Sequence, residues 1–221
     1  MNQTMNVESM NPILRAFSEG GFVMYIILVI AVLAVILVVE RFMSLKSLRV
    51  DKKEFSDQVF KLIIAGDLRQ AISFCDSKAT PLSNTVKAGL VQVLNKRADE
   101  EVQVAMDAAV LREMPKLEGF TSFLAVLGNV AVLAGLLGTI IGMIGSFRAV
   151  AQADPATKAQ LLSEGISHAL NCTGFGLAVA IVAIVFYGLF QHMIQKSENE
   201  MIETSMTLLN LVASNREKLR D

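Results

Sequence analysis

Three stretches of this chain are long and apolar enough to cross a membrane, and they leave little freedom for any other kind of fold. Gly20 to Val39 carries no charge and has the length, about 20 residues, that the hydrocarbon core of a bilayer requires. Gly119 to Phe147 is longer and also uncharged, and Gly165 to Gln195 contains no Asp, Glu, Lys or Arg. Because backbone polar groups in lipid must be satisfied internally, all three stretches are predicted to be transmembrane helices.

The rest of the chain shows no strand pattern, and 53% hydrophobic residues is more than a water-soluble domain of 221 residues needs. The predicted fold is therefore all-α, an integral membrane protein with three transmembrane helices and long helical cytoplasmic extensions. The predicted segments are an outer N-terminal segment (1–19), three spans (20–43, 119–149 and 164–194), a cytoplasmic helical segment (44–118), a short outer turn (150–163) and a cytoplasmic C-terminal helix (195–221).

Basic residues predict how the spans are oriented. Of the 20 Lys and Arg residues, 13 fall between Arg41 and Lys116, and four more lie from Lys196 onwards. The positive-inside rule places these regions in the cytoplasm and the N-terminus outside. The first span is followed by Glu40-Arg41 rather than by a small-residue cleavage pattern, so it is predicted to be an anchor and not a cleaved signal.

Local signals in the cytoplasmic segment predict a series of short helices. Apolar periodicity indicates helices over 51–65 and 68–77. Asp67 and the pair Thr80-Pro81 are typical of helix starts. A helix break is expected near 96–98, and Pro115 is expected to kink the chain on its way into the second span.

The second and third spans each carry one threonine within a stripe of small residues that follows one helix face. Thr139 lies ten residues before the outer end of its span and Thr173 ten residues into the next, so both hydroxyls are predicted about 15 Å deep, near the bilayer midplane. Small residues let another backbone approach, and a hydroxyl among them meets whatever approaches. The alternative is that each hydroxyl only bonds its own helix at i−4. The predicted packing or partner-contact residues are Gly128, Gly135, Gly142, Ser146, Ala169, Gly176 and Ala180.

His168 is the other candidate for function, because ionisable residues inside a span are functional candidates and an imidazole changes charge near neutral pH. It shares a helix face with Asn171 rather than with Thr173, so His168 and Asn171 are predicted to act as a titratable or polar relay. An interfacial histidine bonded to a neighbour is the alternative. No Asp or Glu lies at mid-depth in any span, so an ion path through this chain would need the carboxylate of a partner.

Other classes of function find no support in the sequence. There is no Walker-type phosphate loop, no GxSxG and no HExxH, so the chain is not predicted to be an enzyme. The net charge of −1 gives no reason to expect nucleic-acid binding. Cys75 and Cys172 have neither the number nor the spacing of a metal site, and no cofactor is predicted.

Two motifs resemble the ExbB/TolQ/MotA proton-channel family, and three spans resemble its ExbB/TolQ branch. The run from Ala131 to Phe147 (AVLAGLLGTIIGMIGSF) looks like the second-span motif, and Gly165 to Leu177 (GISHALNCTGFGL) looks like the third-span motif. Glu40-Arg41 and the segment Pro81 to Leu90 also fit. The resemblance implies a ring-forming homo-pentamer in the bacterial inner membrane, around two copies of a single-span ExbD/TolR/MotB-like protein. It further implies that the partner's aspartate carries the proton and that Thr139 and Thr173 face this aspartate and line the ion path.

The chain departs from this family pattern at two positions. His168 stands where members of the branch commonly have a glutamate, and Val132 stands where they often have a proline. The leading interpretation is a stator-like subunit of an ion-driven motor for envelope transport. A structural oligomeric scaffold, a self-sufficient channel, and a motor for gliding or another envelope task remain alternatives. The residues leave the ion open between H⁺ and Na⁺, and the resemblance points to H⁺.

Overall fold

The computed structural model describes residues 21–48 and 51–215, and this part of the chain is helical without strands. The all-α prediction is therefore confirmed, while the outer N-terminal segment (1–19) lies outside the described residues. Three helical stretches are long and apolar enough to cross a membrane, and they contain α1, α6 and α7 respectively. The helices are α1 (Gly21–Ser47), α2 (Lys52–Ile64), α3 (Leu68–Lys78), α4 (Pro81–Leu94), α5 (Asp99–Glu118), α6 (Thr121–Gln152) and α7 (Lys158–Ser214).

The described residues form two compact units, and the first, which we call the membrane unit, comprises residues 21–39 and 120–188. Its core is built from small and medium side chains of three helices, namely Ile30, Ala131 and Ala180. Large apolar side chains instead point outwards, and Leu133 and Ile181 are both more than 60% exposed. This distribution suits lipid, which solvates apolar side chains and leaves close backbone packing to hold helices together.

The second unit, which we call the helical unit, comprises residues 40–119 and 189–215. Its core consists of large apolar side chains that are almost fully buried. These come from four helices and include Phe55, Ile63, Leu90, Met106 and Leu208. The hydrophobic effect drives burial of this kind, because it removes apolar surface from water.

Polar side chains begin the short helices of this unit, as the sequence predicts. Asp51 accepts from the backbone N–H groups of Lys53 and Glu54, and Asp67 accepts from that of Gln70. Thr80 caps α4, which begins at Pro81, and Ser83 completes a capping box with it. The predicted break near 96–98 is confirmed between α4 and α5, where Lys96 has a positive φ of 58°.

The connection between α6 and α7 is shorter than predicted. The sequence assigns 150–163 to an outer turn, but α6 continues to Gln152 and α7 begins at Lys158. Residues flanking an apolar span continue its helix because helical hydrogen bonds satisfy the backbone on both sides of the lipid boundary. At its other end α7 runs to Ser214, which confirms a helical continuation of the third span.

The break before the second span falls at Gly119, whereas the kink expected at Pro115 stays a prediction. Helix α5 continues through Pro115 to Glu118, and Gly119 ends it with a φ of 42° and a ψ of −130°. Only glycine adopts this conformation readily. A Cβ at this position would also overlap the guanidinium of Arg41, a buried side chain that pairs with Glu40 at 2.6 Å.

Candidate functional site

Helices α6 and α7 run antiparallel in the membrane unit with their backbones in contact. A Cβ added to Gly135 would lie 3.1 Å from the carbonyl oxygen of Cys172, and one added to Gly176 would lie 2.6 Å from that of Ala131. Nothing larger than glycine therefore fits at either position without moving a backbone. The close approach brings the two threonine-bearing faces together.

The hydroxyls of Thr139 and Thr173 are in hydrogen-bond contact with each other across this interface. Thr139 Oγ1 also lies 3.2 Å from the carbonyl oxygens of both Gly135 and Ala169. Thr173 Oγ1 lies 3.2 Å from the carbonyl oxygen of Gly135. The i−4 bond expected from the alternative interpretation is thus present at Thr139, but both hydroxyls also bond across to the other helix.

This cluster contains four oxygen atoms and only two hydroxyl protons. A hydroxyl has one proton to donate and two lone pairs that accept, so lone pairs in the cluster remain unfilled. Both threonine side chains are half-buried, so the cluster lies at the edge of the helix pair and not deep within it. Chemically, the cluster can accept a hydrogen bond from an acid, donate one to a carboxylate, or offer oxygen ligands to a small cation.

His168 lies one layer away from the hydroxyls, between the start of α1 and the middle of α6. Its Nε2 is 3.1 Å from where a Cβ on Gly21 would be, and its Nδ1 is 3.2 Å from where a Cβ on Gly142 would be. Nδ1 is buried and has no hydrogen-bond partner among the described residues. Asn171 is half-buried and does not line the cavity into which His168 faces, so the structure does not bring the two predicted relay residues into one site.

The small-residue stripes of α6 and α7 pack against each other within one chain. A Cβ on Gly128 would meet the carbonyl of Ala180, and one on Gly142 would meet Ala169. Near the connection between α6 and α7, the Ser146 hydroxyl occupies the space that a side chain at Gly165 would fill. The residues predicted for packing or partner contact therefore contact the other stripe over much of their surface.

Sequence reasoning did not place Gly138 or Gly165 at the contact between α6 and α7, although a signal for both was present. A Cβ on Gly138 would lie 2.8 Å from the Cys172 side chain, so this glycine also permits close packing. In an antiparallel pair, residues equally far from the connecting turn face each other. Counting outwards from Asp154-Pro155 pairs Ser146 with Gly165 and Gly138 with Cys172 to within one or two residues.

Charged groups are absent at the level of the hydroxyl pair. Among the described residues, no Asp or Glu lies within two helical turns of Thr139 or Thr173 on α6 and α7. No group of three or more His, Cys, Asp or Glu side chains in this part of the chain comes together as metal ligands. The site offers neutral oxygen atoms in a low-dielectric setting.

Comparison with known proteins identifies a family and several relatives that are similar to this chain. The sequence profile of the MotA/TolQ/ExbB proton channel family matches residues 77–203, more than half of the chain. An ExbB homologue from Methanothermobacter thermautotrophicus is 30% identical over 177 residues, which is 79% of this chain and 61% of the relative. The ExbB-like protein 3 of Synechocystis is 28% identical over 173 residues, which is 78% of this chain and 81% of the relative. TolQ of the Tol-Pal system of Pseudomonas aeruginosa is 42% identical over 91 residues, which is 41% of this chain and 39% of the relative.

The matches thus cover different shares of the relatives, less than two thirds of the archaeal ExbB homologue and of TolQ. The family profile spans the end of α3, all of α4 to α6, and most of α7. It includes both threonines and the glycines that let their helices touch. With this match over more than half its length, the chain belongs to the MotA/TolQ/ExbB proton channel family.

Proposed function

We propose that this chain is the stator-like subunit of a proton-driven motor in the inner membrane, which converts proton-motive force into work on the cell envelope. In this proposal five copies surround two copies of a single-span partner of the ExbD/TolR/MotB type, and an aspartate of the partner carries the proton. The N-terminus is periplasmic and the C-terminus cytoplasmic. Family membership supports proton-driven envelope transport, and the positions of the basic residues support the orientation.

The observation that carries the proposal is the oxygen cluster of Thr139 and Thr173 in a helix pair that offers no carboxylate at that level. A hydroxyl can donate to an ionised aspartate and accept from a protonated one. It therefore stabilises both states of a carboxyl group that loads and releases a proton beside it. A methyl group in the same place would serve neither state.

The driving force is large enough for this role. Each elementary charge that crosses a potential of 100 mV releases about 2.3 kcal/mol. Placing a carboxylate in the midplane without polar partners costs a similar or larger free energy. Hydroxyl groups are therefore needed beside the position that the carboxylate occupies. The interface glycines Gly135 and Gly176 hold both hydroxyls in position through backbone contact.

The experiment measures native mass and proton flux together. The detergent-purified chain is analysed by native mass spectrometry, alone and co-expressed with a single-span protein that has an intramembrane Asp. Both preparations are reconstituted in liposomes, and proton uptake is driven by a potassium diffusion potential. The proposal predicts five copies alone, five plus two with the partner, and flux only with the partner.

One specific observation favours the scaffold interpretation: the two small-residue stripes pack against each other within one chain. It predicts that the complex assembles but passes no protons under any condition. A self-sufficient channel predicts full flux without the partner. A monomer, dimer or trimer that ignores the partner contradicts the motor proposal.

A further inference from the structure

A cavity of about 1020 Å³ opens into the membrane unit near the connection between α6 and α7. Three helices line it, with Val23 from α1, Gly138 and Ala149 from α6, and Leu161 from α7. Ala149 and Leu161 lie close to the connection along the chain, whereas Gly138 is adjacent to Thr139. The cavity therefore extends from the outer end of the unit to the level of the hydroxyl pair.

Two titratable side chains line this cavity, Glu164 and His168. They are four residues apart on α7, so they share a helix face with their Cβ atoms about 5–6 Å apart. A carboxylate and an imidazole at this separation can meet directly or through one water molecule. Glu164 is exposed and accepts from Gln160 Nε2 at 2.9 Å, whereas the buried Nδ1 of His168 has no partner among the described residues.

Within residues 21–48 and 51–215, no other titratable group lines the cavity beside this pair. The cavity-lining residues of α1 and α6 are glycines, apolar side chains and Ser146 within the described part of the chain. Along α7 the remaining polar lining is Ser163 and Ser167. Among the described residues, Glu164 and His168 are thus the titratable groups that a charge in the cavity can meet.

The position of His168 connects this cavity to the candidate site. Its Nδ1 faces Gly142, which is three residues from Thr139 and so lies on the same face of α6. The neighbouring residue Ala169 provides one of the carbonyl oxygens that Thr139 contacts. Glu164 and His168 thus follow one another inward along the cavity, and the hydroxyl pair lies beyond its lining, next to Gly138 and Ala169.

We propose that Glu164 is the outer proton acceptor of this chain and that it passes protons through His168 towards the Thr139–Thr173 hydroxyl pair. This inference rests on the proposed function. The Glu164 carboxylate takes a proton from water and becomes a carboxylic acid. It then gives that proton to a free ring nitrogen of neutral His168, and the imidazolium releases a proton from its other ring nitrogen to water beside the hydroxyl pair. Glu164 returns to its starting state and one proton has moved inward, while His168 is left as the other neutral tautomer; a flip of the ring or proton exchange with water restores it for the next proton.

The first test measures proton flux in liposomes that contain the chain and its partner, with equal pH on both faces and a potassium diffusion potential. Glu164→Gln is expected to slow flux at least fivefold, most strongly at alkaline pH, where protons are scarce. Glu164→Asp is expected to keep at least half of the flux. Asp154→Asn is the matched control, since it makes the same chemical change at the nearby turn outside the cavity lining, and flux should not change.

Variants at His168 test the second step. His168→Gln is expected to reduce flux at least tenfold. His168→Glu should retain flux but shift its pH profile towards acid, because carboxyl side chains titrate about two pH units below imidazole. Thr173→Val separates the two proposals. Full flux in Thr173→Val would contradict the proposed function. If Thr173→Val is inactive but Glu164→Gln and His168→Gln have normal flux, only the relay is overturned.

A second measurement asks whether water fills the cavity and does not depend on flux. In a background with Cys75→Ser and Cys172→Ser, the variant Ser167→Cys should react with a membrane-impermeant maleimide added from the periplasmic side. Leu170→Cys is the matched control, three residues away, exposed and outside the cavity lining, and it should react at least tenfold more slowly. Equal and slow reaction of both cysteines would show a dry cavity and would overturn the relay.

Discussion

The membrane unit and the helical unit use the same backbone structure but pack it in opposite ways. In the membrane unit glycine and alanine lie between helices, and large apolar side chains point outwards. In the helical unit side chains such as Phe55 and Ile63 fill the interior, and α2, α3 and α4 begin at polar caps. The difference follows from the solvent. In lipid, helices associate through close backbone packing, whereas in water the burial of apolar surface is the main driving force.

This contrast explains where a functional group can be held most firmly. The hydroxyls of Thr139 and Thr173 lie between backbones that cannot move apart without losing contact along the whole stripe. Side-chain cores have more ways to adjust, since flexible groups such as the Met106 thioether change conformation easily. We therefore expect substitutions in the two units to differ in effect even where the local crowding is the same.

The largest effect is expected from a matched pair of glycine substitutions. A Cβ at Gly176 would lie 2.6 Å from the Ala131 carbonyl oxygen, and a Cβ at Gly89 would lie 2.6 Å from the Met106 sulfur. Gly176→Ala should force two backbones apart, lower stability by about 1–3 kcal/mol and reduce flux at least tenfold. Gly89→Ala should change stability by less than about 1 kcal/mol, because Met106 can move and alanine favours the helix.

Thermal unfolding in detergent, followed by circular dichroism, and proton flux in liposomes measure both variants. Equal destabilisation by Gly176→Ala and Gly89→Ala would show that the two units respond alike to crowding. That result would remove the basis of the comparison.

The next prediction concerns stability alone, at the turn between α5 and α6, and no loss of flux accompanies it. Gly119→Ala places a side chain at a φ of 42° and against the buried guanidinium of Arg41. A residue held in such a conformation costs about 1–3 kcal/mol. Gly66→Ala is the control, because Gly66 also has a positive φ but a Cβ there would meet no atom within 4 Å. The difference between the two melting temperatures reports the Arg41 contact, and equal melting temperatures would show that this contact contributes nothing.

The smallest effect is expected at Cys75 in the helical unit. Burial among apolar side chains raises the pKa of the Cys75 thiol from its usual value to about 12. Because the thiol pKa is higher in the folded than in the unfolded chain, the neutral thiol contributes to the free energy of unfolding at neutral pH. This contribution is lost as the pH rises towards 12. At pH 7.5 Cys75 should therefore react with iodoacetamide at least 100-fold more slowly than in the urea-unfolded chain, with no change in flux. Fast labelling of the folded chain would show that this core opens readily.

Much of the helix layout was predictable because its signals are local. An apolar run of sufficient length and a polar cap such as Asp67 each act over a few residues. The outer turn was predicted too long, because composition reports where lipid ends and not where helical hydrogen bonding ends. The end of α5 at Gly119 was not predicted, although glycine is the residue that readily supplies the positive φ required there.

The candidate site was predictable only in part. Thr139 and Thr173 were found because a polar group stands out within a small-residue stripe. The identity of the surface that each stripe meets depends on the pairing of α6 with α7, which is a tertiary property. Glu164 was overlooked because it lies at the edge of a span, and only the cavity that it lines with His168 marks it as a candidate.

The most direct test of the account is proton flux through the partner-bound complex with Thr173→Val, compared with Thr173→Ser. Valine removes the hydroxyl with little change in shape, and loss of one such hydrogen bond costs only about 0.6 kcal/mol in a membrane, so the complex should assemble. Thr85→Val in the helical unit is the control, since it removes a buried hydroxyl that bonds the Pro81 carbonyl oxygen at 2.9 Å. The account predicts less than a tenth of the wild-type flux for Thr173→Val, at least half for Thr173→Ser, and unchanged flux for Thr85→Val. Full flux in Thr173→Val would contradict it and leave the threonine pair as a packing feature.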